Sequence, residues 1–259
     1  MVKIGIIGGT GVYDPKLVED EKSNKIHTPY GPTSDFVMTG KFKGIDIVVI
    51  PRHGMGHIVN PTNVNYRANI YAMKQLGVTH IIAPSAVGSL KEEYKPGDLV
   101  FTDQFIDRTT KRVQTFYDGK QVCHISMAEP MCGNLRGLLM QAAQKLGLSF
   151  HKTGTIIVVE GPRFSTKAES NLFRSWNADI IGMTMVPEVV LAREAEICYA
   201  SVGMVTDYDC WKEEEVTGDM VVATMKKNAV NVKKLLEAVI PLIKDDDCAC
   251  RHALKHALM

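Results

Sequence analysis

The sequence predicts an α/β fold: a single domain with a mixed, largely parallel β-sheet flanked by helices. Short apolar runs alternate with amphipathic segments from end to end. No linker, internal repeat or low-complexity segment interrupts them, and 259 residues that are 45% hydrophobic suffice for one large core. We therefore expect one domain over residues 1–259, in which residues 244–259 form a C-terminal tail with a Cys-x-Cys motif.

Charge and hydropathy exclude several classes of partner. Lys and Arg number 30 against 29 Asp and Glu, with no basic stripe, so we expect no nucleic acid and no anionic membrane surface as a partner. No apolar run approaches the roughly 20 residues of a membrane span. The first residues lack the features of a signal peptide, so the expected location is the cytoplasm.

The first predicted strand, residues 3–7, runs directly into Gly8-Gly9-Thr10-Gly11. Glycines let backbone N–H groups approach an anion closely, and Thr10 adds a hydroxyl. The spacing does not match the G-x-G-x-x-G dinucleotide fingerprint, and Pro15 comes too early for a following helix. We interpret the turn as a phosphate or small-anion loop; a tight turn without a ligand is the alternative.

Two further apolar strands also end in polar groups. Residues 45–50 lead to Arg52 and His53, which are directional donors for an oxyanion, and residues 77–83 lead to Ser85. Each group alone would be interpreted as an exposed loop. Open α/β sheets, however, bind ligands at the carboxyl ends of their strands, so the coincidence indicates one anion site.

The rest of the chain supplies the remaining elements. Residues 103–118 lack periodicity and indicate a long functional or interface loop. Glu160 leaves a buried strand beside Arg163, so it is predicted to form an ion pair or to bind hydroxyls, while His124 alone is interpreted as a core or interface histidine. The pattern predicts strands over residues 99–102, 155–159 and 178–184, and helices over residues 60–76, 130–146, 167–176, 188–195 and 219–243.

The last strand, residues 197–204, leads to two acids, Asp207 and Asp209. If the extended geometry continues, side chains at i and i+2 point to the same side. Paired acids at the end of a buried strand are costly unless they bind or react with something. They indicate a site, and a polar strand-to-loop junction is the alternative.

The cysteines do not form the paired CxxC pattern of a zinc module. Cys248 and Cys250 are followed by His252 and His256, and such a cluster could bind zinc, although its spacing is unusual. A disulfide and a solvent-exposed tail are the other options, and we favour these two over zinc. No metal ligand is assigned.

Several separated motifs resemble the methylthioadenosine-cleaving members of the trimeric purine nucleoside phosphorylase family. The resemblance covers about residues 3 to 243. The motifs are Gly8-Gly9-Thr10-Gly11, Pro51-Arg52-His53-Gly54, Gly88-Ser89-Leu90, Asp103-Gln104-Phe105-Ile106-Asp107-Arg108-Thr109, Glu160-Gly161-Pro162-Arg163-Phe164-Ser165, Met185-Val186-Pro187-Glu188 and Thr206-Asp207-Tyr208-Asp209-Cys210-Trp211.

The resemblance implies phosphate-dependent cleavage of S-methyl-5′-thioadenosine to adenine and 5-methylthioribose 1-phosphate. Phosphate is then a co-substrate, no cofactor is expected, and the assembly would be a homotrimer or a dimer of trimers. The implied phosphate contacts are Thr10, Arg52, His53, Ser85, Ala86 and Thr184.

The resemblance also implies the nucleoside contacts. Asp207, with a pKa raised by burial and by Asp209, would protonate the leaving base near N7, and Asp209 would orient it. An aspartate at position 207 accompanies 6-aminopurines in the family. The other implied contacts are Met183 at the ribose, Phe164, Ser165 and Tyr208 at the base, Gly218 and Val221 at the 5′ group, and His124 from a neighbouring subunit.

The C-terminal motif resembles that of archaeal, heat-adapted members, and this implies a disulfide between Cys248 and Cys250. The alternatives for function are a 6-oxopurine or broad-specificity nucleoside phosphorylase, a nucleotide-binding oxidoreductase built on the Gly8 loop, and a non-catalytic nucleoside sensor.

Overall fold

The computed structural model describes residues 2–9, 18–212 and 218–259, with the side chains of residues 218–223 excepted. The strands are β1 (Lys3–Gly8), β2 (Glu19–Asn24), β3 (Val37–Phe42), β4 (Ile45–Pro51), β5 (His80–Ser89), β6 (Leu99–Val100), β7 (Gln104–Arg108), β8 (Phe150–His151), β9 (Thr155–Val159), β10 (Ile180–Gly182) and β11 (Cys198–Asp207). The α-helices are α1 (Tyr66–Gln75), α2 (Gly133–Lys145), α3 (Lys167–Ser175), α4 (Met185–Glu194) and α5 (Gly218–Val239). Short 3₁₀ turns cover Asp209–Trp211, Ile240–Leu242 and Ala249–His252.

All the described strands join one sheet, in the order β2-β3-β4-β1-β5-β10-β9-β7, and β11 pairs with β5 and β6. The pairs β1–β4, β1–β5, β5–β11, β9–β10 and β7–β9 are parallel, whereas β3–β4 and β5–β10 are antiparallel. The predicted mixed, largely parallel sheet with flanking helices is therefore confirmed. The long strand β5 pairs with β1, β10 and β11, and this places it at the centre of the molecule.

The sheet is covered by helices on two sides. One apolar cluster includes Ile70 and Met73 of α1 together with Val189 of α4, and a second includes Leu139 of α2 and Val232 of α5. Burying a side chain of this size stabilises the fold by about 1.5–3 kcal/mol. The two layers hold the carboxyl ends of β1, β4, β5 and β11 in fixed relative positions.

The predicted elements differ from the structure in several places. Strands β2 and β3 were not predicted, and residues 104–108 of the expected loop form strand β7, parallel to β9. Helix α1 begins at Tyr66 rather than near residue 60, because Asn65 provides the cap: its Oδ1 accepts a hydrogen bond from Ala68 N at 3.1 Å. Strand β5 continues through Ser89 instead of ending near residue 83.

The C-terminal residues pack against the domain. The side chains of Cys248, Cys250 and Ala257 are 9% exposed or less. His124 N donates to the carbonyl oxygen of Ala257 at 2.8 Å, and Met259 N donates to that of Val122 at 3.0 Å. The interpretation of this segment as a solvent-exposed tail is therefore wrong.

Among the described residues, none of the helices has both the length and the apolar character needed to cross a membrane.

Candidate active site

Asp207 lies at the carboxyl end of β11, directly beside β5. After a shift in register between Val205 and Asp207, Asp207 faces Gly88 of β5. A Cβ atom at Gly88 would lie 3.0 Å from Asp207 Oδ1, so the missing side chain at this position gives the carboxylate its room. The glycine of the Gly-Ser-Leu motif thus has a packing reason.

The carboxyl group of Asp207 is fixed by two short hydrogen bonds. Its Oδ2 accepts from Thr206 Oγ1 at 2.6 Å, and its Oδ1 accepts from the backbone N of Asp209 at 2.8 Å. Burial raises the pKa of Asp207, and these two bonds partly offset the rise. Asp209 therefore acts on Asp207 through a backbone N–H that lowers its pKa, and not in the direction expected from the sequence.

Asp209 is buried, with 5% of its surface exposed, and has a positive φ of 50°. Burial raises its pKa, and the negative charge of Asp207 raises it further. The negative charge of Asp207 therefore makes the protonation of Asp209 depend on that of its neighbour. At least one proton is held more tightly here than on an isolated carboxylate.

Ser165 and Phe164 lie next to this acid pair. The carbonyl oxygen of Ser165 accepts from Cys210 Sγ at 3.2 Å, which ties the segment to the residue after Asp209. Ser165 Oγ is buried and has no hydrogen-bond partner among the described residues, and Phe164 is 50% exposed. A buried hydroxyl without a partner and an exposed ring are both available to a ligand.

The segment that carries them is anchored by helix α3. Thr166 caps this helix through a capping box, in which Thr166 Oγ1 accepts from Glu169 N at 3.1 Å and Thr166 N donates to Glu169 Oε2 at 2.8 Å. Tyr208 is used differently: its hydroxyl donates to the carbonyl of Glu92 at 3.4 Å, and its ring packs edge-on against Trp211.

Arg52 is almost completely buried, and protein groups take most of its donors. Nε and Nη2 donate to the carboxylate of Glu188 at 2.8 and 2.9 Å, and Nη2 and Nη1 donate to the carbonyls of Ile7 and Pro84 at 2.9 and 3.2 Å. Of the five N–H groups of a guanidinium, at most one remains for an anion. Arg52 joins β1, β5 and α4, and the predicted direct role in phosphate binding is correspondingly limited.

Glu188 is held from a second side by Tyr199, whose hydroxyl donates to Glu188 Oε1 at 2.8 Å. Burial and the Glu188 charge raise the pKa of Tyr199 well above its usual value, so the hydroxyl keeps its proton. The two hydrogen bonds between Arg52 and the Glu188 carboxylate are therefore held in a fixed geometry.

His53 follows Arg52 and is neutral at physiological pH. Burial and then the charge of Arg52 lower its pKa to about 4. Its Nδ1 lies 2.8 Å from the carbonyl oxygen of Val59, which can only accept, so Nδ1 carries the proton. Nε2 is then an acceptor that suits the O–H of a monoprotonated phosphate.

The remaining predicted anion ligands lie on β5 and at the start of α4. Ser85 and Ala86 are inside β5, opposite Gly203 and Met204 of β11. Strand β10 runs antiparallel to β5, with Ile181 opposite Gly88. The chain that follows β10 therefore runs back along β5 towards Ser85, and Thr184 lies on this segment. Thr184 directly precedes α4 and its hydroxyl makes no capping bond, but Val186 has non-helical backbone angles, so the regular part of the helix begins only after Val186.

Met183 is fixed by close packing on the turn after β9. A Cβ atom at Gly161 would lie 2.6 Å from Met183 Sδ, and Gly161 has a φ of 65°, so this position accepts only glycine. The predicted contact Thr10 lies outside the residues that the structure describes. Gly218 and Val221 lie in the part of α5 whose side chains are not described.

Sequence reasoning missed Arg112. Its guanidinium contacts Glu160 Oε1 at 3.1 Å and the carbonyls of Met183 and Val186 at 2.7 and 2.6 Å. Glu160 therefore pairs with Arg112, whereas Arg163, its expected partner, pairs with Glu169 at 2.7 Å. No pattern in residues 103–118 signals this role, because it depends on how that segment folds back across the site.

His124 is exposed on the surface. The cysteines in the described residues are free thiols, so the expected disulfide between Cys248 and Cys250 is not present. His252 bonds to Asp247 at 2.7 Å instead of joining the Cys-x-Cys motif.

Open α/β sheets bind ligands at the carboxyl ends of their strands, so the anion donors and the acid pair at these ends define one candidate site for a small ligand. The family model of the phosphorylase superfamily matches residues 3–241. The chain belongs to the phosphorylase superfamily.

Within this superfamily, the chain is similar to several individual enzymes. It is 56% identical over 259 residues to the S-methyl-5′-thioadenosine phosphorylase of Thermofilum pendens, covering 100% of this chain and 99% of the relative. A crystal structure of a methylthioadenosine phosphorylase from an antarctic soil metagenomic library superposes with a TM-score of 0.95 at 43% identity, covering 100% of this chain and 92% of the other. The enzyme from Schistosoma mansoni in complex with adenine gives a TM-score of 0.91 at 43% identity, covering 95% and 93%.

Proposed function

We propose that this chain cleaves S-methyl-5′-thioadenosine with inorganic phosphate, giving adenine and 5-methylthioribose 1-phosphate. The observation that carries the proposal is the position of the half-buried Asp207 next to β5, the strand that also carries Ser85. The similarity to enzymes named for this substrate supports it.

Phosphate needs positioning rather than activation, because it is already anionic. Thr184 at the start of α4, Ser85 and neutral His53 supply neutral groups, while the charge of Arg52 is largely matched by Glu188. A site built mainly of neutral donors binds the anion without over-stabilising the ground state.

The C–N bond breaks as the ribose gains oxocarbenium character, and negative charge moves into the purine. We assign Asp207 as the group that protonates or hydrogen-bonds the base near N7, because burial raises its pKa. Asp209 is assigned to orient the base and to accept from its amino group.

The same acids favour a 6-aminopurine over a 6-oxopurine. An exocyclic amino group donates hydrogen bonds, and the carboxyl oxygens of Asp207 and Asp209 can accept them. Ser165 Oγ, which has no partner among the described residues, supplies a further polar group at the base. Phe164 supplies a ring face for stacking.

The remaining expectations belong to the same proposal. The active unit is a homotrimer or a dimer of trimers in which His124 of one subunit reaches the 5′ side of its neighbour's site. No organic cofactor takes part, and the reaction takes place in the cytoplasm.

The test compares kcat/KM for methylthioadenosine, adenosine, methylthioinosine and inosine, each with and without phosphate. We expect release of the base to require phosphate and the 6-aminopurines to exceed their 6-oxo counterparts. Release of the base without phosphate, or a preference for inosine over adenosine, would contradict the proposal.

A further inference from the structure

Four cysteines from distant parts of the chain meet beneath the C-terminal segment. Cys132 precedes helix α2, Cys198 opens strand β11, and Cys248 and Cys250 flank one alanine. Their sulfur atoms all lie within 4.8 Å of one another, and those of Cys132 and Cys248 are 3.6 Å apart. Each residue is 9% exposed or less, so the four sulfurs form one enclosed group.

The spacing of the sulfurs fits tetrahedral coordination. Zinc–thiolate bonds of about 2.3 Å place the four sulfurs of a tetrahedron about 3.8 Å apart. A disulfide would bring two of them to about 2.05 Å, whereas these thiols are free. The 3.6 Å approach of Cys132 to Cys248 links the start of α2 to the C-terminal segment rather than one half of the Cys-x-Cys motif to the other.

N–H donors point at two of the four sulfur atoms. Cys132 Sγ accepts from Leu135 N at 3.5 Å at the positive end of α2. Arg193 Nη1 donates to Cys250 Sγ at 3.5 Å, so a cation lies against the cluster. N–H donors and a positive charge around the sulfurs are what a negatively charged metal–thiolate centre requires.

We propose that Cys132, Cys198, Cys248 and Cys250 bind one thiophilic divalent cation of the zinc class. Four thiolate ligands leave no open coordination position, and soft sulfur ligands select zinc over magnesium or calcium. The four thiols release their protons to solvent as the metal binds, and no oxidant or reductant is consumed.

The site is structural. Cys198 and Asp207 are at opposite ends of β11, roughly 30 Å apart at the rise of an extended strand. The metal would instead tie the C-terminal segment to α2 and β11. That segment also bonds to the loop around His124 through the backbone of Ala257 and Met259, so the metal would hold this loop in place as well.

The test starts from the complete chain, purified without oxygen and fully reduced. Titration with Co²⁺ is expected to give a thiolate-to-metal charge-transfer band and tetrahedral ligand-field bands that saturate at one ion per chain. Zn²⁺ is then expected to abolish these bands and to raise the melting temperature above that of the metal-free chain. Because it uses the unaltered chain, this measurement does not depend on any variant folding.

Two cysteine variants locate the ion. Cys250→Ser is expected to lose stoichiometric uptake of Co²⁺, and the matched control Cys123→Ser, outside the cluster, is expected to keep it. The proposal is overturned if the reduced chain takes up no metal, or if Cys250→Ser binds as much as the control. It is equally overturned if the chain carries two disulfides as isolated and binds no metal after their reduction.

Discussion

At the scale of single residues, Asp207 combines burial with two fixed hydrogen bonds, and its position next to Gly88 leaves the base side of the site little freedom. A carboxyl group in this setting holds its proton at higher pH than one in water. This property is what a general acid for a purine leaving group needs.

Asp207→Asn is expected to lower kcat for methylthioadenosine by about 10²–10⁴-fold, the usual contribution of general acid catalysis. The control is Asp46→Asn. Asp46 lies near the start of β4, at the end away from Arg52, and pairs with Lys3 at 4.0 Å. Steady-state kinetics at saturating phosphate provide the measurement. A kcat for Asp207→Asn equal to that of the control would remove Asp207 from the mechanism.

His53 gives a pH dependence with a defined sign. Its pKa is about 4 in the folded chain, against 6.5 for an unperturbed histidine, so between these values the unfolded chain binds the additional proton. This residue therefore makes the free energy of unfolding rise as the pH increases from about 4 to 6.5.

His53→Gln is expected to flatten that rise, as measured by urea unfolding at several pH values across the window. The exposed His27 supplies the matched control, His27→Gln. Parallel stability curves for the wild-type chain and His53→Gln would show that burial does not hold His53 neutral.

Candidate site residues could be predicted where polar groups directly follow an apolar run, as at Arg52, His53, Asp207 and Asp209. It could not be predicted where partners are remote in sequence. Cys132 and Cys248 are separated by 116 positions, and no local pattern joins them.

At the scale of elements, helix α4 links the two sides of the site. Its first residues follow Thr184, its interior carries Glu188 on Arg52, and Arg112 holds the carbonyl of Val186 at its start. Helix α4 therefore connects Arg52 with the segment that carries Met183.

Arg112→Met removes the buried positive charge that pairs with Glu160. It also removes the donor to the carbonyl oxygens of Met183 and Val186. We expect a loss of about 3–5 kcal/mol in the free energy of unfolding. We also expect higher KM values for both phosphate and nucleoside, because α4 contributes to both sides of the site.

The matched control is Arg163→Met, which breaks the exposed pair between Arg163 and Glu169. The side chains of this pair are 68% and 35% exposed, and solvent screening leaves such exposed pairs little effect on stability. Denaturant unfolding compares the two variants directly. An equal effect of both substitutions would mean that Arg112 has no special structural role.

The elements predicted from periodicity, such as α2, β9 and the strand into Asp207, were found near their expected bounds. Strand β2 was missed because its residues Glu19–Asn24 are polar and mostly exposed, so no apolar alternation marks them. Strand β7 was missed because its pairing with β9 depends on the tertiary fold.

At the scale of the whole molecule, β5 joins the two parts of the sheet, and every functional strand end is one or two strands from it. The fold class could be predicted because alternation of strands and helices needs no knowledge of partners. The strand order and the course of the C-terminal segment depend on long-range contacts and could not.

The proposed sharing of sites between subunits predicts complementation. Asp207→Asn and His124→Ala are each expected to be impaired when expressed alone. In randomly mixed closed rings about one quarter of the sites would combine an intact Asp207 with an intact neighbouring His124. Activity of the co-expressed pair that does not exceed the sum of the separate variants, in oligomers shown by mass spectrometry to be mixed, would argue against a shared site.

The pairing between the chain's last residue and Val122 has a practical consequence for anyone producing the protein. Met259 N donates to the carbonyl of Val122, two positions before His124. Residues of an affinity tag attached directly after Met259 would leave the fold at this point, beside the histidine proposed to serve the neighbouring subunit. A cleavable tag at the amino terminus therefore avoids placing foreign residues next to His124.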